Sequence, residues 1–396
     1  MTLKNIINDS VVTSNFSSTY PFINKYVIEN GDSVESRNGD TKEIIDFKTT
    51  ITNPYRRCVG NNGRDINIFF LLAEAIWIFK GEKDVAFLDI FNSNMKNYSD
   101  DGVNFHAPYG FRLRKHGVSS FDRTLPTSPE NNGHAVEQMN KGVDQILQTL
   151  KDLHKDSETR RAVMQIWNAD LDLGTKSKDL PCNDMVFLKI RNGKLRTTIS
   201  NRSNDLHWGL PTNVFQFSFL TEIMANILGI ELGTQTHNSQ SLHIYNDNPI
   251  AWKMYDEVQL SNGQFEDLYD VFVPARMDMN FDSESIEPRL AEVDYFLSMI
   301  IDSIKSGKRI TETEEQTLMH FSKYLHLVYD LLMMYVEYKS TSRTDSDKWK
   351  TIDKISNLSN FYPSLDIIAL AVNFFASKVK DKEIVSVNLT SPIGKM

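Results

Sequence analysis

Three short stretches decide how this chain reads: Asp179-Leu180-Pro181-Cys182-Asn183, Asn201-Arg202-Ser203-Asn204-Asp205 and Gly209-Leu210-Pro211-Thr212-Asn213. Between the first two, residues 184–191 and 194–200 read as strands joined at Asn192-Gly193, a strong hairpin signal. The hairpin sets Cys182, just before one strand, opposite Arg202 at the end of the other. A guanidinium fixed beside a thiol favours the thiolate without any metal. Alone, Cys182 would more often be a small core hydrophobe. Its polar neighbours argue for covalent catalysis instead.

Working outward, residues 214–228 form an apolar helix closed by Gly229, residues 231–245 give two more strands ending in His243-Ile244-Tyr245, and residues 249–257 look helical. Upstream, residues 66–80 make a buried helix around Glu74 that stops at Gly81, and a second helix runs from 84 to about 94. Residues 98–128, rich in Asp, Gly, Ser and Pro, read as loops around Tyr109-Gly110. Residues 138–155 place Val143, Ile146, Leu147, Leu150 and Leu153 on one helical face, and Arg160-Arg161 then lead into a strand at 162–167. Residues 1–36 have weak periodicity, and residues 32–40 read as an exposed loop containing Arg37.

Beyond residue 281 the pattern becomes helical. Leu290, Val293, Leu297, Ile300 and Ile304 form a seam ended by Gly307. Thr311 and Glu314 suit a capping box for the next helix, which carries the apolar run 325–338, and a third helix spans 364–378. Residues 1–280 are therefore expected to be a catalytic domain and 281–396 a helical extension, serving packing or dimer support, with partner binding as the alternative.

The 396 residues are 40% hydrophobic and carry a net charge of −9, which allows a large core and argues against an extended nucleic-acid surface. Two cysteines, Cys58 and Cys182, are too few for a disulfide framework and suit a reducing compartment. The N-terminus lacks the apolar run of a signal peptide, no stretch is apolar enough to span a bilayer, and no metal-ligand spacing occurs. The expectation is a cytoplasmic enzyme without a membrane or nucleic-acid partner.

From Cys182 through Arg202, Asn213, His243 and Tyr245, the order and spacing resemble thymidylate synthase and its relatives, the pyrimidine nucleotide hydroxymethylases. The resemblance covers roughly residues 37–270 and implies an α+β fold, a mixed sheet with helices on one side and a twofold partner on the other. It implies that the Cys182 thiolate adds to carbon 6 of dUMP, so that carbon 5 attacks the one-carbon unit of 5,10-methylenetetrahydrofolate. Arg202 would hold thiolate and phosphate, Ser203 would add a hydroxyl, and Arg37 would be a further phosphate ligand. Arg160 and Arg161 would reach the partner subunit's site in a homodimer. Asn213 would read N3-H and O4 of uracil, while His243 and Tyr245, alternating on a strand, would hold the sugar. Glu74, costly in an apolar helix, should have a raised pKa and relay protons to the base. Tyr109 would assist proton removal at carbon 5, and Asp205 would contact the pterin.

Some positions depart from the methylating pattern. Residues 94–98 lack the tryptophan that stands beside the folate, no Gly-Tyr-x-Pro tail precedes the extension, Asn183 replaces a histidine after the nucleophile, and Trp208 replaces a leucine. Hydride transfer needs a dry site; where water adds instead, the product is 5-hydroxymethyl-dUMP. Hydroxymethylation of dUMP is thus expected ahead of methylation to dTMP, and a dead-enzyme scaffold stands third. The terminal residues 391–396 could form a lid.

Overall fold

The computed structural model describes residues 6–36, 39–60, 66–118, 142–261, 268, 272–362 and 365–380. Its strands are β1 (Ile6–Ile7), β2 (Ser10–Thr13), β3 (Asp32–Ser36), β4 (Gly39–Ile51), β5 (Val163–Gln165), β6 (Asn183–Arg191), β7 (Lys194–Asn201), β8 (Asn204–Asp205) and β9 (Glu231–Tyr245). They form one mixed sheet in the order β1-β2-β4-β9-β7-β6-β5, with β3 on β4 and β8 on β9. The expected fold class is the one observed. The expected β6–β7 hairpin turns at Asn192 and Gly193, with φ 55° and 69°, the left-handed pair that its two-residue turn needs.

Period-two alternation separates the faces of the sheet. Val11, Thr49, His237, Ile199, Val186 and Met164 pair in register across six strands, and none is more than 1% exposed. The neighbouring row, Val12, Thr50, Thr236, Thr198, Phe187 and Val163, points the other way, with Val12 64% and Val163 40% exposed.

The helices are α1 (Phe16–Asn30), α2 (Ile68–Lys80), α3 (Val85–Asp89), α4 (Tyr109–Arg114), α5 (Gln145–Lys155), α6 (Leu210–Leu228), α7 (Pro249–Leu260), α8 (Ile286–Ser306), α9 (Glu312–Phe321), α10 (Lys323–Lys339), α11 (Asp345–Asn357) and α12 (Leu365–Ala376). Helix α6 is buried on nearly all sides, packed between the sheet and α2. Gly81, Gly229 and Gly307 end α2, α6 and α8 in the left-handed conformation, as their positions predict.

Several expectations need correction. Residues 231–245 are one strand, not two, because β9 stays paired along both edges through the register shift opposite Leu195 and Thr197. Of the expected loop 32–40, residues 32–36 and 39–40 are strand instead, polar because β3 is largely exposed on both faces; Arg37 itself lies outside the described residues. The loops after residue 98 contain α4, and the second helix shrinks to α3. The helix expected from 138 begins at Gln145, capped by Asp144, with 138–141 outside the described residues. The capping box of Thr311 and Glu314 forms, but buried Ser322 breaks the run and caps α10 separately.

Helices α8, α10 and α12 pack against α2. Phe69 of α2 stacks on Tyr335 at 4.8 Å and meets Phe374 and Phe375 at 5.3 and 5.4 Å. Arg114, the last residue of α4, grips Asp294 of α8 through two hydrogen bonds of 2.9 and 2.7 Å. Deeper, Arg57 pairs with Glu222 of α6, and Glu222 also accepts from the Met277 amide at 2.8 Å. Among the described residues, no helix is long and apolar enough to cross a membrane.

Candidate active site

A cavity of about 350 Å³ opens where α2, α4, the start of β6 and the N-terminal end of α6 converge. Its walls bring together Glu74, Tyr109, Cys182, Ser203, Asp205 and Asn213, six residues singled out from sequence. Arg202 stands beside Cys182, with a guanidinium nitrogen 4.0 Å from Sγ. Its Nε donates to the Pro181 carbonyl at 2.8 Å and another nitrogen to that of Leu180 at 3.3 Å, fixing the charge against the turn that carries Cys182.

The backbone explains why Cys182 points here. A register shift between Asn183 and Met185 makes a bulge at the head of β6, and the carbonyl of Asp184 accepts from Ile166 and Trp167. Bulges re-aim side chains in this way. The Cys182 amide donates to the Tyr109 phenol at 3.4 Å.

Burial pushes the Cys182 thiol above its ordinary pKa; Arg202 pulls it down, while Asp179, Asp184 and Asp205 push it up. The arginine lowers the pKa as the sequence suggests, but burial outweighs it, so the thiol stays mostly protonated until something draws its proton off. Glu74 is raised to about 7 by burial, opposed by a 2.7 Å hydrogen bond from Gln216. Tyr109 lies well above its usual range through burial and the charges of Cys182 and Asp179, and is therefore a hydrogen-bond donor at neutral pH.

Asn213 is held in a head-to-tail chain of carboxamides. Asn201 donates to Asn183, Asn183 to Asn213 at 3.1 Å, Asn213 to Asn204 at 3.2 Å, and Asn204 to the Ser239 hydroxyl at 3.1 Å. Each amide orients the next, which leaves Asn213 one lone pair and one N–H for a ligand. Asn183, where the resemblance predicts histidine, is thus a positioning residue for Asn213.

The other expected residues lie apart. His243 and Tyr245 share a face of β9, rings 5.5 Å apart, and β8 runs beside them with Asp205 opposite His243; neither lines the cavity. Arg160 and Arg161 are exposed before β5 and do not line it either. Sequence reading missed Gln216, three residues past Asn213 on one face of α6, a spacing that could have revealed it. It also gave no role to Asp179.

With this geometry in view, the chain matches the family model described as thymidylate synthase over residues 18–264, and it belongs to that family. Among curated relatives it is 40% identical over 235 residues to a protein named deoxyuridylate hydroxymethyltransferase from Bacillus phage SP01, covering 59% of this chain and 57% of the relative. A protein of the same name from Pseudomonas phage M6 is 37% identical over 216 residues, covering 54% and 55%. The thymidylate synthase of Bacillus subtilis subsp. natto is 32% identical over 198 residues, covering 49% and 62%. The chain spans a little over half the length of the phage proteins it matches.

Proposed function

We propose that this protein is a deoxyuridylate hydroxymethyltransferase, which converts dUMP and 5,10-methylenetetrahydrofolate to 5-hydroxymethyl-dUMP and tetrahydrofolate. The carrying observation is the convergence of Cys182, Tyr109, Glu74 and Asn213 on one cavity, with Arg202 beside the thiol, in a chain similar to proteins of that name. Cys182 bonds to carbon 6 of the ring, assisted by Arg202, and Glu74 trades a proton with the pyrimidine carbonyl, for which a pKa near 7 is suited. Asn213 presents its free lone pair and N–H to N3-H and O4, and Tyr109 assists removal of the carbon 5 proton. The wall formed by Trp77, Ile78, Leu88 and Phe105, with Trp208 at the mouth, offers an apolar surface for a pterin. Met95 and Tyr98 stand on the wall where a methylating enzyme would place its tryptophan, which supports hydration over hydride transfer.

No arginine or lysine lines this cavity among the described residues, so the substrate phosphate needs cations from Arg202 and from a second subunit. The exposed Val12 and Val163 row is the face on which a twofold partner would pack and deliver Arg160 and Arg161. Mixing the two inactive variants Cys182→Ala and Arg161→Ala should then regain activity, since one hybrid site has both residues. A cytoplasmic setting agrees with this chemistry. The deciding experiment is mass spectrometry of products from dUMP and from dCMP, with absorbance monitoring for dihydrofolate. Thymidylate with dihydrofolate, or no product from either nucleotide, would reject the reading.

A further inference from the structure

Three carboxylates line the cavity, and two already have partners: Glu74 is bound by Gln216, and Asp205 Oδ1 accepts from the amides of His207 and Trp208 at 2.6 and 2.9 Å. The third, Asp179, is held differently. Its Oδ2 accepts from the Ala107 amide at 2.8 Å, and its own N–H donates to Ser177 Oγ at 3.1 Å, which in turn donates to Asp100 at 2.6 Å. Pro181 follows two residues later and stiffens the turn. Oδ1 makes no hydrogen bond and the carboxylate no ion pair among the described residues. The cations behind it are committed elsewhere, since His106 and Arg112 both pair with Asp172, at 3.0 and 2.9 Å.

A carboxylate so placed is costly unless something occupies the cavity beside it. It lies on the Ala107-Pro108-Tyr109 wall, three residues before Cys182. Burial, partly offset by the Ala107 amide, raises its pKa and makes it a stronger base than an exposed aspartate.

We infer that Asp179 is the general base that activates the water adding to the exocyclic methylene. This rests on the reaction proposed above. Once tetrahydrofolate has left and carbon 5 has lost its proton, the methylene sits on the ring atom next to the one bonded to Cys182. Water forms its O–C bond to that carbon while one O–H proton passes to Asp179 Oδ1. The methylene π pair moves into the ring as an enolate, which collapses, expels the Cys182 thiolate from carbon 6 and restores the ring double bond. The proton on Asp179 then returns to solvent. Nothing is oxidised or reduced.

The test separates the two halves of the reaction. Tritium release from 5-tritiated dUMP with methylenetetrahydrofolate reports every step through carbon 5 deprotonation, and mass spectrometry of 5-hydroxymethyl-dUMP reports hydration. In Asp179→Asn, tritium release should stay within several-fold of wild type while hydroxymethyl product falls about 10²- to 10⁴-fold. Added mercaptoethanol, a nucleophile that needs less activation, should then trap the methylene as a 5-thioether. In Asp179→Ala, formate should restore hydration. A parallel loss of both readouts in both variants, or undiminished product, overturns the assignment. If the wild type releases tritium but never forms the hydroxymethyl product, it is the proposed function that fails.

Discussion

Glu74 offers a direct test of how this site spends stability on chemistry. In the folded protein burial keeps its carboxyl protonated to about pH 7, against 4.5 in the unfolded chain. The folded pKa is raised, so the stabilisation from the neutral carboxyl is complete below pH 4.5, declines as pH rises, and is lost above about 7. At about 1.4 kcal/mol per tenfold change in proton affinity, the loss is about 3 kcal/mol. Glutamine at this position never ionises, and its carbonyl can still accept from Gln216, which sits 2.7 Å away. Urea titrations of wild type and Glu74→Gln at fixed protein concentration should therefore coincide near pH 4.5 and diverge upward. By about pH 8 the variant should be the more stable by about 2–3 kcal/mol, while its tritium release from dUMP is sharply reduced. Parallel pH profiles for the two proteins would refute the argument, because they would mean that Glu74 is hydrated and titrates like any surface glutamate.

Asn183→Leu deprives Asn213 of its 3.1 Å donor, and calorimetry should show dUMP binding weakened about fivefold, the worth of about one hydrogen bond; unchanged affinity would mean that the carboxamide chain does not orient Asn213. Gly110→Ala would set a methyl 1.9 Å from the Ile78 carbonyl, which must force α4 off α2 and move Tyr109, so activity should collapse even if the protein still unfolds cooperatively. Tyr335→Ala removes a ring stacked on Phe69 and on Phe91 at 4.8 and 5.4 Å and should cost about 3–5 kcal/mol in urea unfolding. Because Phe91 leads into the wall of Met95 and Tyr98, the folate KM should rise with it; a variant with unchanged KM would show that the extension supports stability alone.

What could be read from sequence were features whose cause lies within a few residues. Asn192-Gly193 announces its turn because only such residues take two positive φ values cheaply, and Gly81, Gly229 and Gly307 mark helix ends for the same reason. Cys182, Ser203, Asp205 and Asn213 were legible because the three stretches that hold them carry polar side chains that no core would need, and Glu74 because it interrupts an apolar helix, whereas Tyr109 came from the family resemblance alone. Helix α1 was missed because Pro21 sits inside it and Ser and Thr fill its first turn, so that beyond the Asn15 cap it is held by packing of Phe16, Tyr20, Ile23 and Val27. Helix α11 was missed although Thr344 and Asp347 form a capping box, a local signal that was there to be read.

The electrostatics of Cys182 are of another kind. Arg202 beside the thiol can be seen in the sequence; the three aspartates that oppose it come from the preceding turn, the bulge after it and a strand past the hairpin, and burial comes from α2, α4 and α6 together. No window of sequence contains that sum. The consequence is chemical: a thiol raised by its surroundings needs its proton drawn off before it can add to a ring, and of the carboxylates that oppose Arg202, Asp179 lines the cavity with one oxygen uncommitted among the described residues. Replacing Asp179 should accordingly lower the Cys182 pKa, since it removes one of the charges that raise it, and the alkylation rate of Cys182 at neutral pH should rise in Asp179→Asn even as hydration fails.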